Sequence, residues 1–275
     1  MLNIKAVIDE GSLYLKEISD SPKLDAQLLL CNVLNIDRVS LFLRYEKEID
    51  ELMKARFDAL LERRRLQEPL NYIIGKREFY SNDFLVNHDV LIPRPETELI
   101  IDVAKKYIDK DIKNIIDIGT GSGVIAITLK LIFPNINITA SDISEDALKI
   151  AKRNAEIHKV KLDFVISDAL QNIQNNFQMI VTNPPYVKSS FIEDDLSLAY
   201  EPRRALDGGE SGLEVIKKIL EEAKEKIDTG GLIIMEHGFD QAEDVKSIAK
   251  KYNFDCLCNI KDINDHPRVS ILKWN

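Results

Sequence analysis

The chain reads as an α/β protein: a mainly parallel sheet with helices on both faces, closed by an antiparallel hairpin and preceded by a small helical domain. Three observations carry this reading. From about residue 95 onward, short β-rich runs alternate with helical repeats, the pattern of a parallel sheet whose crossovers are helices. The last two runs are separated only by Lys261–Arg268, too short for a crossover, so they pair antiparallel. The first 70 or so residues instead repeat their apolar positions with helical spacing. The expected organisation is a helical domain over 1–75, a β-hairpin linker over 76–93 and the sheet domain over 94–275.

In the helical part, Ser21-Pro22 offers an N-cap followed by proline at the first helical position. Leu24, Leu28 and Cys31 then follow at i, i+4 and i+7, one apolar face. A longer helix carries Ile49, Met53, Phe57 and Leu60 on one stripe and must stop before Pro69. The run Arg63-Arg64-Arg65 falls at its end and reads as solvated. Next, Glu78-Phe79-Tyr80 and Phe84-Leu85-Val86 flank a turn at Ser81-Asn82-Asp83, a short hairpin. Two prolines in Ile92-Pro93-Arg94-Pro95 end that segment. Strands are expected at Ile115–Ile118, Ile136–Ala140, Asp163–Ile166, Met179–Thr182, Leu232–Glu236, Asp255–Ile260 and Val269–Trp274. Helices are expected between most of them, among others at Ser144–His158 and Gly212–Ile227.

Composition limits the function classes. With 275 residues, 45% apolar and 30% charged, this is the make-up of a globular domain plus a smaller one. No run approaches the roughly 18–20 apolar residues of a membrane span. Asp9, Glu10, Lys16 and Glu17 stand where a signal peptide would be apolar, so a cytoplasmic protein is expected. A net charge of −9 argues against binding by phosphate neutralisation. Cys31, Cys256 and Cys258 make neither a disulfide framework nor a metal set. Alternation sends Cys256 and Cys258 to one strand face as buried small apolar groups.

The run Asn114–Ile118 feeds directly into Gly119-Thr120-Gly121-Ser122-Gly123 and then an apolar helix at Val124–Ile132. Glycines at alternate positions let the backbone turn sharply and a ligand approach it closely, and the crevice at such strand ends is where open parallel sheets bind ligands. A dinucleotide fingerprint would require glycine at 124, which is valine. The Asp117-to-Gly123 pattern instead resembles the first motif of class I methyltransferases, which have a Rossmann-like sheet and use S-adenosyl-L-methionine, a cofactor without pyrophosphate. Asp117 is placed to help organise the cationic amino-acid end of such a cofactor. Asp142 ends the second strand, 23 residues after Gly119, close to the roughly 20 expected of a carboxylate that binds ribose hydroxyls; Ser144 is the better N-cap of the helix that follows. Asp168, at the third strand tip, lies near the adenine end.

The fourth strand runs into Asn183-Pro184-Pro185-Tyr186. Two prolines make a stiff turn without N–H groups, leaving carbonyl acceptors. Asn183 adds a side-chain oxygen and Tyr186 a flat aromatic face. Such acceptors suit an NH2 group on a planar system, whose weakly nucleophilic nitrogen has to be positioned rather than deprotonated.

With these residues in place the chain resembles the protein-(glutamine-N5) methyltransferases of peptide chain release factors, the PrmC or HemK family. Asn-Pro-Pro-Tyr is shared with adenine and guanine amino methyltransferases, which keeps a nucleic-acid amino methyltransferase as the alternative. More discriminating are Ile92-Pro93-Arg94-Pro95-Glu96-Thr97-Glu98 and Glu201-Pro202-Arg203-Arg204-Ala205-Leu206-Asp207-Gly208-Gly209. The resemblance implies cofactor contacts from Gly119, Thr120, Gly121, Ser122, Gly123, Asp142, Ala169 and Asn183, and no metal. It implies that Asn183, Pro184, Pro185 and Tyr186 hold the glutamine of the Gly-Gly-Gln motif of a class 1 release factor. A monomer is expected, docking its protein substrate through the helical domain, with neither nucleic acid nor membrane as a direct partner. Three positions depart from the family. Ala169 stands where an aromatic residue is frequent, Ser211 where an aspartate is, and Asp265 where glycine is usual in the final turn, although Asp tolerates a left-handed backbone.

Overall fold

The computed structural model describes residues 2–194 and 198–275, which divide into two compact units, Met1–Lys76 and Arg77–Asn275. The first unit is helical: α1 (Ile4–Tyr14), α2 (Pro22–Leu34), α3 (Arg38–Phe42), α4 (Glu51–Arg65) and α5 (Leu70–Ile74). Its core gathers Val7, Ile8, Leu15, Leu29, Leu30 and Phe57, all fully buried or nearly so. Two faces differ from the sequence pattern. In α2, Leu24 is exposed and Leu28 half-buried, while Ala26, Leu29 and Leu30 face inward. The cause is polar: Asp25 is buried and takes Arg64 Nε at 2.8 Å and Ser19 Oγ at 2.9 Å, which turns the helix about its axis. In α4 it is Leu61, not Leu60, that joins Phe57 inside. Ser21 makes no side-chain cap, and Pro22 alone starts α2. The arginine run ends α4 as expected, but paired: Arg63 with Glu68, Arg64 with Asp25 and Arg65 with Glu62.

The second unit begins with the hairpin strands β1 (Lys76–Phe79) and β2 (Asn82–Leu85). Its turn is the two-residue Tyr80-Ser81, with φ of 49° and 61°, one position earlier than the sequence suggested. Two left-handed residues give the twist that matches paired strands. The unfavourable Tyr80 backbone is anchored from α6 (Glu98–Tyr107): Glu98 accepts its N–H at 2.8 Å and Asp102 its phenol at 2.9 Å. Phe79 and Phe84 bury their rings in the core of this unit.

The remaining elements follow as β3 (Asn114–Ile118), α7 (Val124–Ile132), β4 (Asn137–Asp142), α8 (Glu145–Ile157), β5 (Asp163–Ile166), β6 (Phe177–Thr182), α9 (Ser189–Asp194), α10 (Glu214–Ala223), β7 (Ile227–Glu236), α11 (Ala242–Lys251), β8 (Phe254–Lys261) and β9 (Pro267–Trp274). The seven-stranded sheet has the order β5-β4-β3-β6-β7-β9-β8. Its first five strands are parallel, and β9 pairs antiparallel with both β7 and β8. Alternation sorts the two cores. Ile115, Met179, Val181 and Ile234 pack with α6 and α7, while Ile116, Ile180, Ile233 and Met235 pack with α10 and α11. Ser144 caps α8 by accepting Ala147 N–H at 3.2 Å.

Two expectations are corrected in this unit. The helix expected to reach Ile227 stops at Ala223, and Ile227 opens β7; four residues of apolar repeat cannot by themselves separate a helix end from a strand start. The register slips between Cys256 and Cys258, so Leu257 is a bulge and breaks the alternation. Cys256 packs on the α10–α11 side, whereas Cys258 is exposed and stands beside Tyr107 of α6. Among the described residues, no helix is long and apolar enough to cross a membrane.

Candidate active site

Chain order reverses between β3 and β6: β4 and β5 extend the sheet to one side, β6 and β7 to the other. A crevice must open at the carboxyl ends of those two central strands. Ile118 pairs with Thr182, and Thr182 Oγ1 donates to Ile118 O at 2.8 Å. Gly119 and Asn183, each the next residue, are thereby set side by side. They line a cavity of about 670 Å³ with Gly121, Asp142, Asp168, Ala169, Pro184 and Pro185.

The glycine loop shows why glycine is needed at each position. Gly119, Gly121 and Gly123 have φ of 69°, 55° and 83°, a region costly to residues with a Cβ. A Cβ on Gly119 or Gly121 would meet nothing within 4 Å, so the backbone there lies open to the cavity. A Cβ on Gly123 would come within 2.9 Å of Ile127 Cδ1, so that glycine serves helix packing. Thr120 and Ser122 are buried in the loop's framework: Thr120 N–H donates to Ser141 O at 2.9 Å, and Ser122 O accepts Asn154 Nδ2 at 2.8 Å. The same Asn154, wholly buried in α8, also binds the Leu85 backbone through both N–H and C=O. Nothing in the helical pattern of α8 distinguishes Asn154 as this clamp.

The acidic residues hold different posts. Asp117 is fully buried; its Oδ2 accepts Thr120 Oγ1 at 2.6 Å and Ala126 N–H at 3.2 Å, while Oδ1 makes no hydrogen bond among the described residues. Burial pushes its carboxyl up to about 7, against those two hydrogen bonds. Asp142 lines the cavity, accepting Gly121 N–H at 2.9 Å through Oδ2 and Ser144 N–H at 2.9 Å through Oδ1. Each oxygen keeps a second lone pair. Burial raises the Asp142 pKa as well. Asp168 pairs with Lys218 at 2.6 Å. Ala169 sits beside it with a left-handed φ of 51° and no aromatic surface.

Asn183 donates Nδ2 to Thr97 Oγ1 at 3.0 Å, and its Oδ1 accepts no hydrogen bond among the described residues. Pro184 O and Pro185 O are equally without donors there, whereas Tyr186 O accepts Gln241 Nε2 at 3.0 Å. Tyr186 lies outside the cavity lining; its phenol donates to Glu236 Oε1 at 3.2 Å. Glu236 is 1% exposed, and burial pushes its carboxyl up to about 7 against the hydroxyls of Thr97 and Tyr186.

The two discriminating motifs build the surroundings. Arg94 Nη2 meets Glu201 Oε1 at 2.5 Å, and Glu201 Oε2 accepts Ile92 N–H at 3.1 Å, tying one motif to the other. Gly208 N–H donates to Val187 O at 2.8 Å, and Val187 N–H donates to Leu206 O at 3.0 Å. A Cβ on Gly208 would approach Pro185 O and Tyr186 Cα to 2.8 Å, so only glycine fits against the proline turn. Ser211 donates to Glu214 Oε1 at 3.0 Å, a local bond at the start of α10. Asp265 does adopt the left-handed conformation, with φ of 64°. Glu236, Gln241 and Asn154 carried no functional signal in the sequence; Thr97 fell within the Ile92–Glu98 motif without a role of its own.

Both units have relatives among known proteins. A sequence profile described as the PrmC N-terminal domain matches residues 6–75, and one described as the methyltransferase small domain matches 96–199. The release factor glutamine methyltransferase of Koribacter versatilis is 38% identical, with 98% of each chain covered. That of Coxiella burnetii is 37% identical with 99% of each covered, and that of Staphylococcus aureus 34% identical over the whole of both. Among solved structures, a methyltransferase from Pyrococcus furiosus superposes with a TM-score of 0.56 at 21% identity, covering 77% of this chain and 98% of that one. That likeness supports the fold of the sheet unit. The sequence relatives go further, since they extend through both units and through the two motifs that enclose the proline turn; the chain belongs to the release factor glutamine methyltransferases.

Proposed function

We propose that the chain methylates the side-chain amide nitrogen of the glutamine in the Gly-Gly-Gln motif of class 1 release factors. The observation that carries this is the state of Asn183: its NH2 is committed to Thr97, while neither its oxygen nor the carbonyl of the adjacent Pro184 accepts a hydrogen bond among the described residues. Two acceptors next to one another match the two N–H bonds of a carboxamide nitrogen and no other feature of a glutamine side chain.

The cavity fits S-adenosyl-L-methionine. Gly119 and Gly121 leave open space where a side chain would stand, Asp142 retains lone pairs for ribose hydroxyls, and Asp117 Oδ1, buried behind the loop, makes no hydrogen bond among the described residues. Gly119 to Gly123, Asp142, Ala169 and Asn183 would hold this cofactor, with Asp168 near its adenine. When bound, it supplies a methyl group made electrophilic by a positively charged sulfur. Asn183 Oδ1 and Pro184 O orient the glutamine nitrogen, and Pro185 keeps that turn stiff. As the nitrogen takes the methyl group it gains positive charge, so hydrogen bonds to those oxygens strengthen toward the transition state. The cationic amide nitrogen is a strong acid and sheds its proton without a dedicated base.

The helical unit is proposed to dock the release factor, with the hairpin as linker and the sheet unit supplying the chemistry. Val39, Phe42 and Leu43 support this, because they remain 72%, 67% and 80% exposed on or next to α3, an apolar patch of the kind that marks an interface. Phe42→Glu with Leu43→Glu should raise KM for whole release factor while leaving a short Gly-Gly-Gln peptide unaffected. A cytoplasmic monomer that binds no nucleic acid directly completes the reading.

The deciding experiment is mass spectrometry of unmethylated release factor after incubation with this protein and the cofactor. One added methyl group on the Gly-Gly-Gln glutamine supports the reading. Transfer to adenine or guanine amino groups instead, with the release factor unmodified, would move the substrate to nucleic acid.

A further inference from the structure

Pro184 and Pro185 bring no N–H groups to the proline turn, so donors from elsewhere must hold its backbone in place. Its carbonyls are where such donors can attach, yet in the reaction proposed above Pro184 O has to stay open for the acceptor nitrogen. Among the described residues neither Pro184 O nor Pro185 O accepts a hydrogen bond, whereas Tyr186 O accepts Gln241 Nε2 at 3.0 Å.

Gln241 is 5% exposed and uses both ends of its carboxamide. Nε2 also donates to Gly212 O at 3.1 Å, and Oε1 accepts Gly238 N–H at 2.8 Å. Carbonyls only accept and a backbone N–H only donates, so these three partners fix which end of the amide points where. Gln241 stands immediately before α11, where Ser, Thr, Asp or Asn would serve the helix better, and its side chain makes no cap bond to that helix. Gly212 is fitted to the same contact. Its φ is 75°, and a Cβ there would stand 2.5 Å from Tyr186 O and 2.9 Å from Gln241 Nε2. The turn, the segment leading into α10 and the segment leading into α11 are thus joined by one side chain.

We propose that Gln241 is a positioning residue for methyl transfer: by donating to Tyr186 O it fixes the far end of the proline turn and so keeps Pro184 O aimed at the acceptor nitrogen. Thr97 holds the near end through Asn183. This rests on the reading of the turn given above and adds to it a residue 55 positions beyond Tyr186 that does not line the cavity.

The test compares Gln241→Met and Gln241→Glu with the wild type. Methionine fills a similar volume and loses all three bonds. Glutamate keeps an acceptor for Gly238 N–H but, in either charge state, loses at least one of the two donated bonds. Three quantities are read: kcat on whole release factor, KM, and cofactor affinity by calorimetry. Both variants should lose about tenfold or more in kcat, with KM and cofactor Kd within about twofold of wild type. A residue that only supports the fold would lower the melting temperature and leave kcat per folded molecule unchanged. Undiminished kcat in both variants, or cofactor affinity falling in step with kcat, would therefore overturn the proposal. Should Gln241→Met fail to fold, Gln241→Glu carries the same comparison, because it keeps the Gly238 bond.

A second readout needs no substrate. Pro185-Tyr186 is the one Pro-Tyr pair in the chain, so protein labelled at the proline carbonyl carbon and the tyrosine nitrogen gives a single linked amide signal, from this turn. Displacement of that signal in both variants supports the proposal, and an identical signal in all three proteins overturns it. If the wild type transfers no methyl to release factor, the substrate reading fails while this signal still decides whether Gln241 sets the turn.

Discussion

On one wall of the pocket, the residues that shape the glycine loop come from a single stretch: Asp117, Thr120, Ser141, Asp142 and Asn154 all lie within the first β-α-β-α segment of the sheet unit. On the facing wall, Asn183–Tyr186 is held by Thr97, Gly208, Glu236 and Gln241, drawn from three separate segments. The first wall is mostly backbone, and its task is to leave room. The second is mostly side-chain hydrogen bonds, and in the proposed reaction its task is to fix which atom faces the substrate. Room is a local property of a turn. Orientation has to be enforced from several directions, and the residues that enforce it are spread along the chain.

The difference can be broken from the second wall with the largest effect. Asn183→Ala should keep the fold and lower kcat by about a hundredfold or more, in the range found when one oriented hydrogen-bonding group is removed from a reacting centre. Near-normal turnover would end the positioning account. Gly208→Ala comes next. Its Cβ would press on Pro185 O and Tyr186 Cα at 2.8 Å, so the turn must shift. A loss of about ten- to a hundredfold in kcat is expected from a displacement on the order of 1 Å, with cofactor binding measured by calorimetry nearly intact.

The glycine wall should respond in the opposite sense. Gly121→Ala meets no atom within 4 Å but must hold φ near 55°, a strain of about 1–2 kcal/mol. The added methyl also takes space on the cavity side. Weaker cofactor binding with a smaller change in kcat at saturation is the expected pattern; unchanged cofactor Kd would show that the loop lies away from the ligand.

The smallest effect is on stability. Burial raises the Asp117 pKa from 3.8 to about 7, so the folded state favours its protonated form. That contribution is complete below pH of about 3.8 and is lost as pH rises through about 7. Asp117→Asn removes the titration while keeping an acceptor for Thr120 and Ala126. Its melting temperature relative to wild type should therefore climb between pH 5 and 8, and a constant difference would place the charge of Asp117 elsewhere. A different charge state of Asp117 in the bound form would appear as a pH-dependent cofactor Kd.

Much of this was legible from residues in order. Asp117 to Gly123 declares a strand, a turn and a helix start within seven residues, because strand period, glycine backbone freedom and helix period act over neighbours only. All seven strands of the large sheet were visible for the same reason, with errors confined to their ends. The failures have equally definite causes. Leu24 satisfied the helical repeat, but the buried Asp25–Arg64 pair turned α2 another way. The hairpin turn fell on Tyr80-Ser81 because α6 supplies acceptors for Tyr80, a contact no local propensity contains. A single bulged residue, Leu257, sent Cys256 and Cys258 to opposite faces.

By itself, then, the sequence determined the α/β class, the glycine loop, the acidic strand tip at Asp142 and the stiff Asn183-Pro184-Pro185-Tyr186 turn at the end of the fourth strand. Each depends on residue type and spacing across one or two elements. Only the tertiary structure decided which partner the Asn183 amide has, since that follows from Thr97 meeting it across the strand ends of the sheet. It alone decided that Gly208 must lack a side chain, and that the Arg94 and Glu201 motifs form one clamp. Hydrogen bonds and steric contacts act over a few ångströms in space, and chain separation carries no information about which distant residues the fold will bring within that reach.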